Sequence, residues 1–364
     1  MIFSSLSLTH FKSIKKGKLT FKPLTLLTGA NGAGKSSVIQ SLLLAKNTSE
    51  NIHRFKRSEV ELNGPFHLSL GQASSVLSHM HDYAQIKIEL DSDSKNMKYV
   101  YDIDSKNPYS LKITSTLGEN FIEDIPFHYL HAERLGPRKG LPFNPTNWIY
   151  TGYQGEFVND AIHRADQMSR PIPEPLYDTN SGLPRFSTQV EAWMQLLIPD
   201  FRLQVKSQMD VDMVTIQYSN PHLEGAFVSP TSTGFGITYA LPIITSGLLA
   251  SSEGKGLLIV ENPEAHLHPF SQSRMGQFLA LVSMSGVQVI VETHSEHIVN
   301  GMRIQLAKHK KSESGIVYFF TQSNGITEFK QIELKSNGEL SAWPKGFFDQ
   351  EEKDLHELIR IKRL

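Results

Sequence analysis

Hydrophobic and polar positions alternate with a period of two at the start of the chain. Phe3, Leu6 and Leu8 are followed by Leu19 and Phe21, which predicts two short strands with Gly17 marking the turn between them. Leu24-Thr25-Leu26-Leu27 is a continuous apolar run and predicts a buried strand. A Gly-rich loop comes next, then a helix from about Ser36 to Lys46 with Val38, Ile39, Leu42 and Leu43 on one side. Between about residues 59 and 122 the pattern breaks into short alternating segments, among them Ile86-Lys87-Ile88-Glu89-Leu90 and Tyr99-Val100-Tyr101. Such alternation suits an antiparallel sheet with one covered face.

Phe127 to Leu130 predicts another strand, ending at Ala132-Glu133-Arg134-Leu135-Gly136-Pro137-Arg138. Residues 139 to 187, rich in Pro, Asn, Gly and aromatics, read as a long irregular insertion, of the kind that is usually functional or mobile. Val190, Trp193, Leu196 and Leu197 then give a helical stripe, and Leu203, Val205, Val214, Ile216 and Tyr218 alternate like a hairpin. From Gly234 strands and helices alternate. A helix to about Ala250 precedes a strand at 257–260, a helix at 270–282, a strand at 287–291, a helix at 296–308 and a strand at 316–320. That order implies a mostly parallel sheet. The chain divides into an N-terminal β lobe (1–135), an insertion or helical lobe (136–230) and a C-terminal α/β lobe (231–364). No internal repeat or extended heptad pattern interrupts this reading.

Composition narrows the class of function. The 364 residues carry 36 Lys+Arg against 37 Asp+Glu, a net charge of −1. That balance argues against a protein that coats nucleic acid, though a local basic face leaves nucleic acid open as a partner. With no cysteine, disulfide and thiol chemistry are excluded. The N-terminus lacks the basic and apolar regions of a signal peptide. The longest apolar stretch, Tyr239 to Ala250, contains Pro242 and is too short to span a bilayer. A soluble cytoplasmic protein without membrane contact is expected.

Three motifs carry chemistry. Gly29-Ala30-Asn31-Gly32-Ala33-Gly34-Lys35-Ser36 fits G-x-x-x-x-G-K-[ST], between a buried strand and a helix as the motif requires. The backbone of Asn31, Gly32, Ala33 and Gly34, with Ser37 at the helix start, is suited to cradle phosphates. Lys35 supplies an ammonium for the β/γ-phosphates and Ser36 a hydroxyl for Mg²⁺. The strand Leu257-Leu258-Ile259-Val260 ends in Glu261, a carboxylate able to hold the same Mg²⁺. Val289-Ile290-Val291-Glu292-Thr293-His294-Ser295 is a further strand ending in a polar cluster, and its His294 could contact a γ-phosphate or orient the attacking water.

Together these residues resemble the ABC-type ATPase heads of RecF, SMC and OLD proteins, a P-loop NTPase fold with a mixed sheet, an antiparallel β lobe and a helical insertion. The Phe11-Lys12-Ser13-Ile14 turn, the Asn31-to-Ser36 core, Glu264-Ala265-His266-Leu267-His268-Pro269 and Thr293-His294-Ser295 look like the class's N-terminal turn, P-loop, D-loop stretch and switch histidine. The likeness is strongest to compact bacterial ATPases that recur beside phage-defence and restriction genes. It implies ATP and Mg²⁺ as cofactors and a homodimer that sandwiches ATP. In that dimer a signature segment, here Ser232-Thr233-Gly234-Phe235-Gly236, would meet the γ-phosphate held by the other subunit. It also implies an ATPase switch acting with a separate effector in defence or DNA maintenance; a RecF-like DNA clamp and a nucleotide-locked scaffold are the alternatives. No nuclease domain or long coiled coil fits in the chain.

The chain departs from this class at two positions. Asn262 stands where the class places its catalytic Glu, and an amide is no general base. Glu264, two residues on, would take that role if the segment is extended and both side chains share a face. Where the class has a Q-loop glutamine, the strand end carries Glu133, a metal-side substitute. Arg134, Arg138 and Lys139 read as a basic patch for phosphate or as a solvated loop. His266 and His268 with Glu264 suggest a metal site, but in this context the two histidines read rather as dimer-face or locally bonded residues. The end, Ile359 to Leu364, reads as an interaction tail or a solvated helix end.

Overall fold

The computed structural model describes residues 2–78, 85–123, 125–178, 185–219 and 226–361. Three sheets and eight α-helices organise them. The first sheet is antiparallel throughout. Its strands are β1 (Ser5–Phe11), β2 (Ile14–Thr20), β4 (Glu59–Glu61), β5 (Ile86–Asp91), β6 (Asn96–Ile103) and β7 (Ser110–Gly118), in the order β2-β1-β5-β6-β7-β4. The short helix α2 (Ala73–Val76) lies in the β4–β5 connection.

The second sheet carries the motifs. It comprises β3 (Leu24–Gly29), β8 (Phe127–Leu130), β13 (Gly256–Glu261), β14 (Val287–Glu292), β15 (Gly315–Ser323) and β16 (Ile326–Glu333), in the order β16-β15-β3-β14-β13-β8. Every neighbouring pair is parallel except the hairpin β15–β16. All six residues of β13 and of β14 are buried, and so these strands read as unbroken apolar runs.

Alternate residues of this sheet feed two cores. Leu258, Val260, Val289 and Val291 pack with α5 (Phe235–Ser252), α6 (Pro269–Met284) and α7 (Glu296–Lys308). Leu257, Ile259 and Ile290 pack with α1 (Lys35–His53) and the antiparallel sheet. Helix α1 therefore lies between two sheets, and 14 of its 19 residues are buried. This explains why it runs beyond Lys46: Thr48, Ser49 and Asn51 are buried and hydrogen-bonded to Leu44, Asn120 and Asn47, so polar side chains continue the helix inward.

The third sheet holds β9 (Leu141–Pro142), β10 (Leu203–Gln208), β11 (Met213–Ser219) and β12 (Phe227–Val228), with α3 (Val158–Gln167) packed on it and α4 (Phe186–Leu197) packed on α3, α5 and α6. The chain closes with α8 (Gln350–Ile361), which buries none of its residues.

Local expectations change at several places. The β1–β2 turn falls at Lys12-Ser13, not at Gly17, which lies within β2 opposite Leu8. A side chain at Gly17 would collide with the Phe329 ring at 2.7 Å, so packing selects this glycine. The stretch 139–187 is less irregular than its composition suggests, since α3 buries Val158, Ala161, Ile162 and Ala165 there. In α4, Leu196 is exposed while Gln189 and Met194 are buried. Helix α5 passes through Pro242 and reaches 18 residues with mean hydropathy 1.3, and 67% of it is buried in the fold. Of the basic chain end, residues 362–364 lie outside the described residues.

Candidate functional site

Strand β3 ends on Gly29, where φ is 134° and a Cβ would lie 2.3 Å from the Phe320 carbonyl oxygen. Only glycine fits a strand end that turns so sharply beside its neighbour. The loop then reaches Gly34, φ 102°, which caps α1 without a side-chain hydrogen bond. The first turn of α1 contains no acidic residue, so its unpaired N–H groups and positive dipole end face the cleft. A cavity of about 570 Å³ opens over them, lined by Asn31, Gly32, Gly34, Lys35, Ser36 and Ser37, and by Lys12 and Ser13 of the β1–β2 turn. Ala33 points inward and is buried.

The loop is also held from the far end of the chain. Thr327 of β16 donates to the Ala33 carbonyl at 2.9 Å and shares a 2.8 Å bond with Ser13. A Cβ on Gly34 would sit 2.3 Å from the Thr327 hydroxyl. The β15–β16 turn contributes Gln322, Asn324, Gly325 and Ile326 to the cavity wall. Asn324-Gly325, both at positive φ, marks the hairpin in the sequence, but nothing there marks its link to the loop, which is purely tertiary.

Lys35 is buried and donates to the carbonyls of Gly29 (3.0 Å) and Ala30 (2.8 Å). Burial lowers its pKa, while Glu292 and Glu264 pull the other way. Ser36 donates to Glu292 Oε1 at 3.0 Å. Glu292, the last residue of β14, stands in register with Glu261, the last of β13. Sequence reasoning passed over Glu292, although the signal was the one that marked Glu261: an acid at the tip of an apolar strand.

The environment of Glu292 suits a cation. Its Oε2 is buried and without a hydrogen-bond partner, a costly state that a metal ion beside Ser36 would relieve. Burial first, then Glu261 and Glu264, push its pKa up to about 7 against the pull of Lys35 and Ser36. Glu261 is also raised, chiefly by burial, with Tyr129, His131, Arg134 and the Ala132 amide opposing. Its Oε1 accepts from the Tyr129 hydroxyl at 2.7 Å. The Ser36 hydroxyl, the two adjacent carboxylates and the Lys35 ammonium form a donor set that fits Mg²⁺ and a triphosphate.

Arg134 has a different task from the one its place in a basic run suggested. It is buried and donates to the carbonyls of His131 (3.0 Å), Glu261 (2.7 Å) and Asn262 (2.6 Å), with its guanidinium 5.2 Å from the Tyr239 ring. The cation braces the β13 tip and is unavailable to an outside phosphate.

Beyond Glu261 the chain is not extended. Asn262 has φ 45°, and the bonds Ala265 N–H to Asn262 O and Leu267 N–H to Glu264 O fold the segment into turns. Asn262 and Glu264 therefore do not share a face by strand alternation. Glu264 arrives by another route: its Oε2 accepts from Thr293 Oγ1 at 2.8 Å and its Oε1 from the His294 amide at 2.7 Å. Each oxygen keeps a further lone pair. His294 is exposed, with a pKa lowered by partial burial and Lys35 and opposed by Glu264 and the Gly29 carbonyl.

Ser232 closes a 3₁₀ turn at Pro230–Ser232, and Gly234 caps α5 with open space where a Cβ would be. Neither residue lines the cavity over the P-loop of its own chain. His266 lies against α5, its ring 4.5 Å from Tyr239 and 5.3 Å from Phe235. His268 accepts from the Phe270 amide and caps α6. Glu133 is exposed beside His67 and His131.

Residues 24–300 match the family described as "AAA domain, putative AbiEii toxin, Type IV TA system"; the match spans well over half of the chain, which belongs to this family. Residues 311–358 match a model described as a protein of unknown function, DUF3696. No curated protein matches. Among solved structures the chain is similar to the SMC head domain from Thermotoga maritima, at 13% identity and TM-score 0.46 over 92% of this chain and 100% of that one. It is also similar to the Smc head domain with an extended coiled coil, bound to the C-terminal domain of ScpA, derived from Pyrococcus furiosus. That match has 11% identity and TM-score 0.50, covering 98% of this chain and 99% of the other. The fold is that of the ABC-type ATPase head of the RecF, SMC and OLD class, and the chain is an AAA-type P-loop ATPase by family.

Proposed function

We propose that the protein binds and hydrolyses ATP as a homodimeric switch, with two chains enclosing two nucleotides. The observation that carries this reading is the Ser36–Glu292 pair beneath an open helix N-terminus, where a buried carboxylate oxygen lacks a partner. Lys35 leaves the Gly29 and Ala30 carbonyls to meet the β/γ-phosphates. Ser36, with Glu292 and Glu261, holds the Mg²⁺, which neutralises phosphate charge when bound. The backbone from Asn31 to Gly34 and the N–H groups at Ser36 and Ser37 surround the phosphates.

Glu264 has spare acceptor capacity and is tied to the switch segment, so we assign it to the attacking water, with His294 beside the γ-phosphate. Ser232 and Gly234 point a second helix N-terminus outward, and their absence from the cis cavity supports a role toward the opposite subunit's γ-phosphate. Asn262 in the usual base position favours slow turnover, the property of a switch more than of a motor.

The family description refers to a toxin–antitoxin system, which supports a bacterial defence setting; on the same reading the chain acts in the cytoplasm with a separate effector. Nucleotide binding measured with and without Mg²⁺, together with phosphate release, tests the reading. Absence of ATP binding by the folded chain would end it.

A further inference from the structure

Glu133 does not stand alone at the end of β8. His67, His131 and Glu133 each bring one ligand atom to a common point, all within 4.8 Å of one another. The two imidazole rings meet edge to face with centroids 4.8 Å apart. The three residues come from two segments distant in sequence, the loop after β4 and the end of β8.

That convergence has a structural cause. Phe66 and His67 both adopt positive φ, 52° and 57°, an uncommon backbone for consecutive side-chain-bearing residues. The Phe66 ring, wedged against Phe127 (5.6 Å) and Tyr153 (5.8 Å), pins the loop and directs His67 at His131. On the other side, the His131 amide donates to the Tyr153 carbonyl and its own carbonyl accepts from Arg134, so its backbone is fixed from both directions. Gln154 reaches His67 Nε2 at 3.2 Å, the kind of outer partner that orients a ligating imidazole.

We propose that His67, His131 and Glu133 bind a first-row divalent transition-metal ion, zinc by preference, at a site separate from the magnesium of the nucleotide. Two nitrogens and one carboxylate oxygen suit Zn²⁺, Co²⁺ or Ni²⁺ and are a poor set for Mg²⁺, which takes oxygen ligands. Bonds of about 2.1 Å in a tetrahedral shell put ligand atoms roughly 3.4 Å apart. The widest separation must therefore contract by up to about 1.4 Å, within reach of the exposed Glu133 side chain. Three protein ligands leave the fourth position to water.

Coordination has a defined cost at His131, whose Nδ1 accepts from the Glu133 amide at 3.1 Å. Binding through Nδ1 exchanges that one neutral, accessible hydrogen bond for a metal bond and leaves the proton on Nε2. At His67 the Gln154 side-chain nitrogen donates to Nε2, which leaves the ring proton on Nδ1; a half-turn of the Gln154 amide would let its oxygen accept from Nε2–H instead and free Nδ1 for the ion. His131 already acts electrostatically on Glu261, so an ion here would tie the β4–α2 loop to the sheet edge that carries the nucleotide-site acids.

The test is a Co²⁺ titration of the nucleotide-free full chain in excess Mg²⁺, read by visible d–d absorption. One equivalent should bind with tetrahedral-type bands, and His67→Ala or Glu133→Ala should weaken it at least about tenfold. Glu292→Gln should leave the signal intact, which separates this site from the nucleotide's metal. Absence of the bands, or bands that survive both His67→Ala and Glu133→Ala, overturns the proposal, as does a signal lost only with Glu292→Gln.

Discussion

Ser36, at the start of α1, and Glu292, at the tip of β14, are joined by a 3.0 Å hydrogen bond although 256 positions separate them in the chain. Burial of Glu292 sets a pH dependence, which the bond from Ser36 opposes. Glu292 has its pKa raised from 4.5 to about 7, so the folded, metal-free chain binds its proton more tightly than the unfolded chain does. The stability this contributes is complete below about 4.5 and disappears as pH rises through about 7. The full shift corresponds to roughly 3 kcal/mol. Thermal melts without Mg²⁺ should show Tm falling across that window, and Glu292→Gln should flatten the fall. An unchanged slope in the variant would mean that another group titrates.

Lys35→Ala should weaken ATP binding by roughly two orders of magnitude, the scale of a lost charge-assisted contact of about 3 kcal/mol. Calorimetry on the folded variant measures it. Wild-type affinity would show that the loop does not take the β/γ-phosphates.

Ser232→Arg, or a bulky residue at Gly234, should leave ATP binding by the monomer within about threefold of wild type and abolish an ATP-induced dimer. Light scattering after size separation, with and without MgATP, reads this directly. Dimers that persist at wild-type strength in both variants would place the contact elsewhere.

Glu264→Gln preserves shape and most hydrogen-bonding capacity at Thr293 and His294 while removing a proton acceptor. Turnover should fall by roughly two orders of magnitude or more with ATP affinity retained. A variant as fast as the wild type would leave Glu264 only its clamp on the Thr293–His294 segment. Lost stability together with lost turnover would point to the same structural role.

Much of the fold is legible in the sequence because burial on two sides writes itself as continuous apolar strands, and β3, β13 and β14 are of this kind. The P-loop is legible because glycine positions are dictated by local backbone geometry. What escaped depends on distant contacts. Arg134 looks like a surface cation until the carbonyls of Glu261 and Asn262 are seen to fold back on it. Glu264 does not share a strand face with Asn262 because Asn262 turns the chain with a positive φ, a turn that the Asn262-Pro263 pair marks locally and that an extended reading overlooks. Helix α3 hid within a Pro-rich segment because its apolar face is short.

The two family matches meet between residues 300 and 311, a natural place to cut the gene in two. The fold does not come apart there. Strand β15, wholly beyond that point, pairs with β3 along six residues, from Leu24 to Gly29, and Thr327 ties the phosphate loop from behind. A fragment ending near residue 310 would keep every recognisable nucleotide motif yet expose the long flank of β3 as an unpaired edge. Residues 311–358 thus include part of the scaffold that shapes the phosphate loop, and the two stretches form one structural unit despite their separate descriptions.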